Sequence, residues 1–371
     1  MNENSVEKFT ANDFAYSLIS ILLTLLLSVG NIFPNIIDES LVEGSVLKDA
    51  RFAITEHALE SIKNEETKSI ITIGSSILQY ATDGGCISNQ LADDEYRVYN
   101  LAMSGANPYT EMLQIPKLIE SKPSMVLLDL GPNALWDFYE SKQLDEYIEL
   151  RFSILSMSMS YSSSESWKPL IRESDKEYIA DSPQKRINLS TTYSQGVIDD
   201  LIKRNFGHYF DVDTKNNLIP KIGSEEWISY LQTPNFLGPY FETLTEKEID
   251  DWFAENMPGK SKQGVYNPLE NGTLNHLALE YIISQLTNSG IKVLMVSAPH
   301  HPFVHGFLMP GQIDGHNSTL DYFSQKFGAI PVNWFWEEWN PNYFRDRNHL
   351  GDLGREYYCE RISEEIRINM E

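Results

Sequence analysis

Four short stretches carry residue types whose spacing suits acyl chemistry. Gly74-Ser75-Ser76-Ile77 follows an apolar run, where a glycine and a small hydroxyl residue at a strand-to-helix turn expose a nucleophilic oxygen beside backbone N–H groups. Ser75 and Ser76 both qualify on this ground. In Asn100-Leu-Ala-Met-Ser-Gly105-Ala-Asn107, Gly105 allows a turn whose N–H approaches a ligand closely, and Asn107 adds a polar side chain. Leu130-Gly131-Pro132-Asn133 offers the Asn133 amide as a donor to a developing oxyanion. In Asp346-Arg347-Asn348-His349-Leu350, a carboxylate three residues before a histidine reaches its Nδ1, fixes the tautomer and stabilises the imidazolium. Each stretch alone is an ordinary turn; together they form a nucleophile, a base, an orienting acid and oxyanion donors.

The remaining histidines are weaker candidates. His300 and His301, with His305, follow a fourth apolar run as Pro-His-His-Pro-Phe-Val-His, and His300 and His301 are expected to touch substrate. Zinc needs three or four ligands, and no matching cysteine or acidic cluster accompanies them, so neither metal nor other cofactor is expected. His57, His208, His276 and His316 read as surface or satisfied histidines.

The elements that must hold these stretches follow from short apolar runs rich in β-branched residues. Lys68–Ile73, Val98–Ala102, Met125–Leu130 and Ile291–Ser297 read as buried strands, and Ala329–Trp334 as a weaker fifth. Helices are expected at Val46–Lys63, Pro108–Glu120, Asn275–Asn288 and Gly354–Ile368 between them. This alternation implies an α/β fold, a parallel sheet with helices on both faces, whose ligand site lies at the carboxyl ends of the strands. The candidate residues fall at those ends in order. Between residues 134 and 271 the alternation stops, in a serine-rich, aromatic-rich stretch containing Trp136, Trp167, Trp227 and Trp252. It reads as an insertion, either a cap over the site or a second core beside the first.

On these motifs the chain resembles the SGNH, or GDSL-like, hydrolase superfamily over residues 66–133 and 272–371. The resemblance implies a flavodoxin-like three-layer α/β/α sandwich, with Ser76 as nucleophile, His349 as base and Asp346 completing the triad. It also implies an oxyanion hole from the N–H groups of Ser76 and Gly105 and the Asn133 amide. The common GDS triplet is GSS here, with Ser75 in place of an aspartate that is not a triad member; Ser75 is carried as a substrate contact. GSS, an N-terminal apolar helix and a DxxHLG ending look like the membrane-bound acyl-transfer branch acting on surface polymers. The function implied is that of an extracytoplasmic serine O-acyltransferase or esterase on glycan, with acetyl the expected acyl group. A lipase or thioesterase on acyl lipids, or a non-catalytic assembly module that keeps the fold, are the alternatives.

The N-terminus sets the compartment. From Phe14 to Ile37 there is no charged residue, and about 20 residues of helix span the ~30 Å of a bilayer core. The preceding segment is acidic and no small-residue cleavage site follows, so an uncleaved single-pass anchor is expected over residues 1–37, with the body outside the cytoplasm. A stripe of Ser17, Ser20, Thr24, Ser28 and Asn31 suits packing against a partner helix, for which a membrane O-acyltransferase is the candidate. The body is then one domain, 38–133 and 272–371, interrupted by the insertion at 134–271. A net charge of −24 repels phosphate backbones and argues against nucleic acid as a partner. The two cysteines, Cys86 and Cys359, fall on elements that pack on one sheet face in such a fold, which leaves a disulfide open.

Overall fold

A computed structural model describes residues 11–29, 50–132, 134, 274–307 and 311–370, and between them 148–149, 151–152, 154, 166–179, 184–185, 187–188, 191, 224–233 and 243–256. Five parallel strands, β1 (Lys68–Ile73), β2 (Tyr96–Asn100), β3 (Met125–Asp129), β4 (Lys292–Ser297) and β5 (Ile330–Asn333), form one sheet in the order β2-β1-β3-β4-β5. That is the flavodoxin-like order, and the chain reverses direction across the sheet between β1 and β3. The register aligns Tyr99, Ile71, Val126 and Val293 in one row across four strands. Strands covered on both faces read as unbroken apolar runs, which is why Ile-Ile-Thr-Ile and Val-Leu-Leu needed no alternation to be recognised.

Two hydrophobic cores flank the sheet. On one face Ile71, Tyr99, Val126 and Met295 pack against α2 (Ala50–Lys63), α6 (Ile115–Glu120), α9 (Leu274–Asn288) and α10 (Gln312–Phe327). On the other, Ile70, Val98, Leu127 and Val296 pack against α3 (Ser76–Ala81), α4 (Gly84–Gln90) and α11 (Asp352–Met370). Helix, sheet and helix make three layers. The expected long helix over Pro108–Glu120 is instead α5 (Pro108–Glu111), a 3-10 turn at Met112–Gln114 and then α6. Pro116 is the cause: it lacks an N–H and its ring crowds the carbonyl four residues earlier.

Described residues of the insertion join these same two cores. Ile148, Phe152, Trp167 and Trp227 lie in the first; Ile249 lies in the second, with Trp252 packed against it. Helices α7 (Glu225–Gln232) and α8 (Glu246–Asn256) belong to this stretch. A disulfide joins Cys86 on α4 to Cys359 on α11. Helix α1 (Ala11–Val29) exposes Phe14, Tyr16, Leu18, Ile19, Ile21, Leu22 and Leu23. Among the described residues no helix is long and apolar enough to cross a membrane. The rest of the uncharged run, residues 30–37, lies outside them.

Candidate active site

Strand β1 delivers Gly74, Ser75 and Ser76 to the edge of the sheet, and the close packing there demands a glycine. Gly74 has φ +143, and a Cβ on it would stand 2.2 Å from Cβ of Asp129 at the end of β3. Ser75 caps α3, its Oγ accepting from the N–H of Ile77 at 3.2 Å. The same hydroxyl donates to Asp129 Oδ2, and the Ser75 N–H donates to that oxygen at 3.1 Å. Ser75 is therefore committed to Asp129. Ser76 opens the helix instead, and its Oγ stands 2.9 Å from His349 Nε2.

The loop before α11 holds the histidine. Phe344 bridges Leu350, the Arg345 N–H donates to the His349 carbonyl at 2.9 Å, and the Gly351 N–H donates to the Tyr343 carbonyl at 2.9 Å. Within this loop Asp346 Oδ1 accepts from the N–H groups of Asn348 and His349 at 2.9 and 3.0 Å, while Oδ2 lies 2.9 Å from His349 Nδ1. Burial alone would raise the Asp346 carboxyl, but its hydrogen bond to His349, the charge of that ring and the two loop N–H groups hold it below the usual carboxylate range. An ionised Asp346 requires Nδ1 to carry the proton, which leaves Nε2 to accept from Ser76. Tyr80, one turn after Ser76, packs its ring 5.0 Å from that of His349.

The second turn is tied to the first. The Met103 N–H donates to the Gly74 carbonyl at 2.8 Å, and buried Asn100 donates to the carbonyls of Gln79 on α3 and of Thr82, its C-cap. Gly105 sits at φ +66, a left-handed position that suits glycine, and is exposed. Its carbonyl accepts from Arg151 Nη1 at 3.2 Å; the Ser104 carbonyl accepts from Nη2 at 2.9 Å, and Thr110 Oγ1 from Nη1 at 2.8 Å. Arg151 is fully buried and comes from the insertion.

Beside Ser76 lies a cavity of about 190 Å³, walled by Ser75 and Ile77 on either side of that serine, by the 106–108 turn and by residues 131, 132 and 134. Two carboxyls face it, Asp129 and Glu111. Burial pushes Glu111 up to about 8, with Asp129 adding to the rise and Arg151 opposing it, so it holds a proton at neutral pH. Burial also raises Asp129, against the pull of Ser75 and of the Gly131 N–H.

Of the residues expected at the site, Ser76, His349 and Asp346 are brought into one hydrogen-bonded chain. Asn107 and His300 line the cavity; Asn107 Oδ1 also caps α5 through the Thr110 N–H at 3.0 Å. Burial lowers His300 to about 4, and its ring lies 4.4 Å from Phe335. His301 does not join them: its Nδ1 accepts from the Phe303 N–H at 3.2 Å and its ring lies 5.4 Å from Phe344. The Pro-His-His-Pro kink turns the two neighbours apart. Asn133 lies outside the described residues. Among the described residues no group of three His, Cys, Asp or Glu side chains could hold a metal ion.

Three site residues escaped the sequence reading: Asp129, Glu111 and Arg151. A carboxylate ending an apolar strand was a readable signal for Asp129, since such a position is at once buried and at the ligand edge. Glu111 and Arg151 gave none, because each is brought to the cavity or its turn by contacts remote in sequence. No protein-family model matches this chain, and no curated protein matches it.

Proposed function

We propose that the protein is a serine-dependent acyl-transfer enzyme, an esterase or O-acyltransferase with the acyl group carried on Ser76. The observation that carries this reading is the unbroken chain from Ser76 Oγ through both ring nitrogens of His349 to Asp346, with 2.9 Å at each link. As Ser76 Oγ attacks an ester carbonyl, His349 Nε2 takes its proton, and Asp346 stabilises the imidazolium. The N–H groups of Ser76 and Gly105, with the Asn133 amide, receive the oxyanion. Collapse breaks the ester C–O bond, and His349 returns the proton to the departing alcohol. Water or an acceptor hydroxyl then attacks the acyl-serine, with His349 again as base. A purely non-catalytic module needs no such constellation.

The sheet order and the order of the motifs along it support a likeness to the SGNH hydrolases. For place and partner we propose a membrane-anchored body outside the cytoplasm, transferring acyl groups to or from a surface glycan in company with a membrane acyltransferase. Two features support this: seven large apolar residues exposed within ten positions of α1, and the Cys86–Cys359 bond, which suits an oxidising compartment.

The test is a fluorophosphonate probe together with hydrolysis of an activated acetyl ester. Labelling and turnover are expected for the native protein and for Ser75→Ala, and lost, by about 10⁴-fold or more in rate, for Ser76→Ala and His349→Ala. Full activity in Ser76→Ala would refute the assignment. Protease treatment of intact cells should remove the body, and full protection would refute the topology.

A further inference from the structure

We propose that the cavity beside Ser76 is an acyl-chain site for short, uncharged acyl groups of no more than about six non-hydrogen atoms. The inference rests on the acyl-serine reading and specifies its substrate class. The cavity is walled by residues on either side of Ser76 but by neither Ser76 nor His349. It begins where the triad ends, so a carbonyl carbon bonded to Ser76 Oγ directs its chain, not its leaving group, into this space.

Size sets the upper limit. An apolar cavity of roughly 150 Å³ takes up benzene, so a space of about 190 Å³ accommodates a group of about six non-hydrogen atoms. The walls set the character. Ile77, Ala106, Pro108, Pro132 and Ala134 make most of the surface apolar, which favours methylene over water. The two acidic groups set the charge. Asp129 Oδ2 accepts from the hydroxyl and N–H of Ser75, and Glu111, 4% exposed, also faces the cavity, its Oε1 making no hydrogen bond among the described residues. An anionic acyl group would be buried here beside Asp129 with no cationic partner among the described wall residues, since burial keeps His300 neutral and Glu111 holds its proton. A long fatty chain exceeds this volume and would leave its end outside the apolar wall.

The experiment is a chain-length series of p-nitrophenyl esters, acetyl to octanoyl, on the full-length protein in micelles, with succinyl and alanyl esters as charged arms. Specificity, as kcat/KM, is expected to rise up to about fourfold per methylene to butyryl, the increment of burying a CH2, and to fall at least tenfold by octanoyl. The succinyl ester is expected to fall at least tenfold below butyryl, and the alanyl ester not to exceed its isostere isobutyryl. Ala106→Val, which narrows the wall, should lower the butyryl-to-acetyl ratio about tenfold; Ile77→Ala, which widens it, should raise the hexanoyl-to-butyryl ratio. Ratios within one preparation are unaffected by how much of a variant folds. A flat profile, octanoyl matching butyryl, or a charged ester preferred over its neutral isostere, with Ser76 still labelled by fluorophosphonate, would overturn this inference alone. Absence of labelling would overturn the acyl-serine reading, and this inference with it.

Discussion

Glu111 is the clearest case of a residue whose surroundings decide its behaviour. With its pKa moved from 4.5 to about 8, mainly by burial, it binds a proton in the folded chain over a range where the unfolded chain has released it. Stability therefore falls as pH rises through that window, by an amount on the order of a few kcal/mol in total. Glu111→Gln keeps the shape and removes the titration. Its melting temperature relative to the native protein should climb between pH 5 and pH 8, and a difference independent of pH would refute the assignment. Nothing near Glu111 in the chain announces this, since its environment is made by Asp129 and by Arg151, forty residues on. Ser76, Asp346 and His349 were legible because the chemistry proposed for them restricts both residue type and spacing. Between Ser75 and Ser76 the local sequence was indifferent; it is Asp129 that separates them, by engaging the Ser75 hydroxyl and leaving Ser76 to the histidine.

The turn after β2 depends on an element far from it. Three donor contacts from one buried guanidinium hold the Ser104 and Gly105 carbonyls and the Thr110 hydroxyl, so the direction of the Gly105 N–H is set by Arg151. Arg151→Met removes those donors and takes a partner from the buried Thr110 hydroxyl, at about 1–3 kcal/mol if that group is left unsatisfied, while the exposed Ser104 and Gly105 turn loses its tie. In the enzyme reading it should lower kcat by up to ~10²-fold, the scale of losing one oxyanion donor, with little change in KM. A matching rise in KM instead would mean that Arg151 shapes binding and not the oxyanion turn. Strands were the legible elements because burial on both faces makes them apolar runs. Helix α10 was not: its buried stripe includes His316 and Thr319 beside Leu320 and Phe323, polar residues at core positions. His316 is accommodated there by contacts of 3.0 Å to the Ser297 hydroxyl and the Leu130 carbonyl, which no helical period reveals.

Across the whole molecule, acid is the expected weakness. Burial lowers His57, His300, His301 and His316 from 6.5 to about 4 each, so the folded chain keeps them neutral where the unfolded chain protonates them. Their contribution is fully present above pH 6.5 and lost as pH falls toward 4, while Glu111 works in the opposite sense. Unfolding near pH 5.5 should therefore take up a net of about three protons, measurable from the pH dependence of the unfolding free energy. An uptake near zero would show these rings to be solvated. The disulfide acts on the same scale by limiting the unfolded chain, and Cys86→Ala with Cys359→Ala should cost on the order of 5 kcal/mol for a loop this long. Cys86 precedes, and Cys359 follows, the Gly105 turn, the whole insertion and the Asp346–His349 loop. A protease that cut the chain once between Cys86 and His349 would yield two polypeptides but still one molecule. One piece would carry Ser76 and the other His349, held together through the sulfur bridge. Such nicked protein should run as a single band without reductant, separate into two with it, and keep Ser76 facing His349.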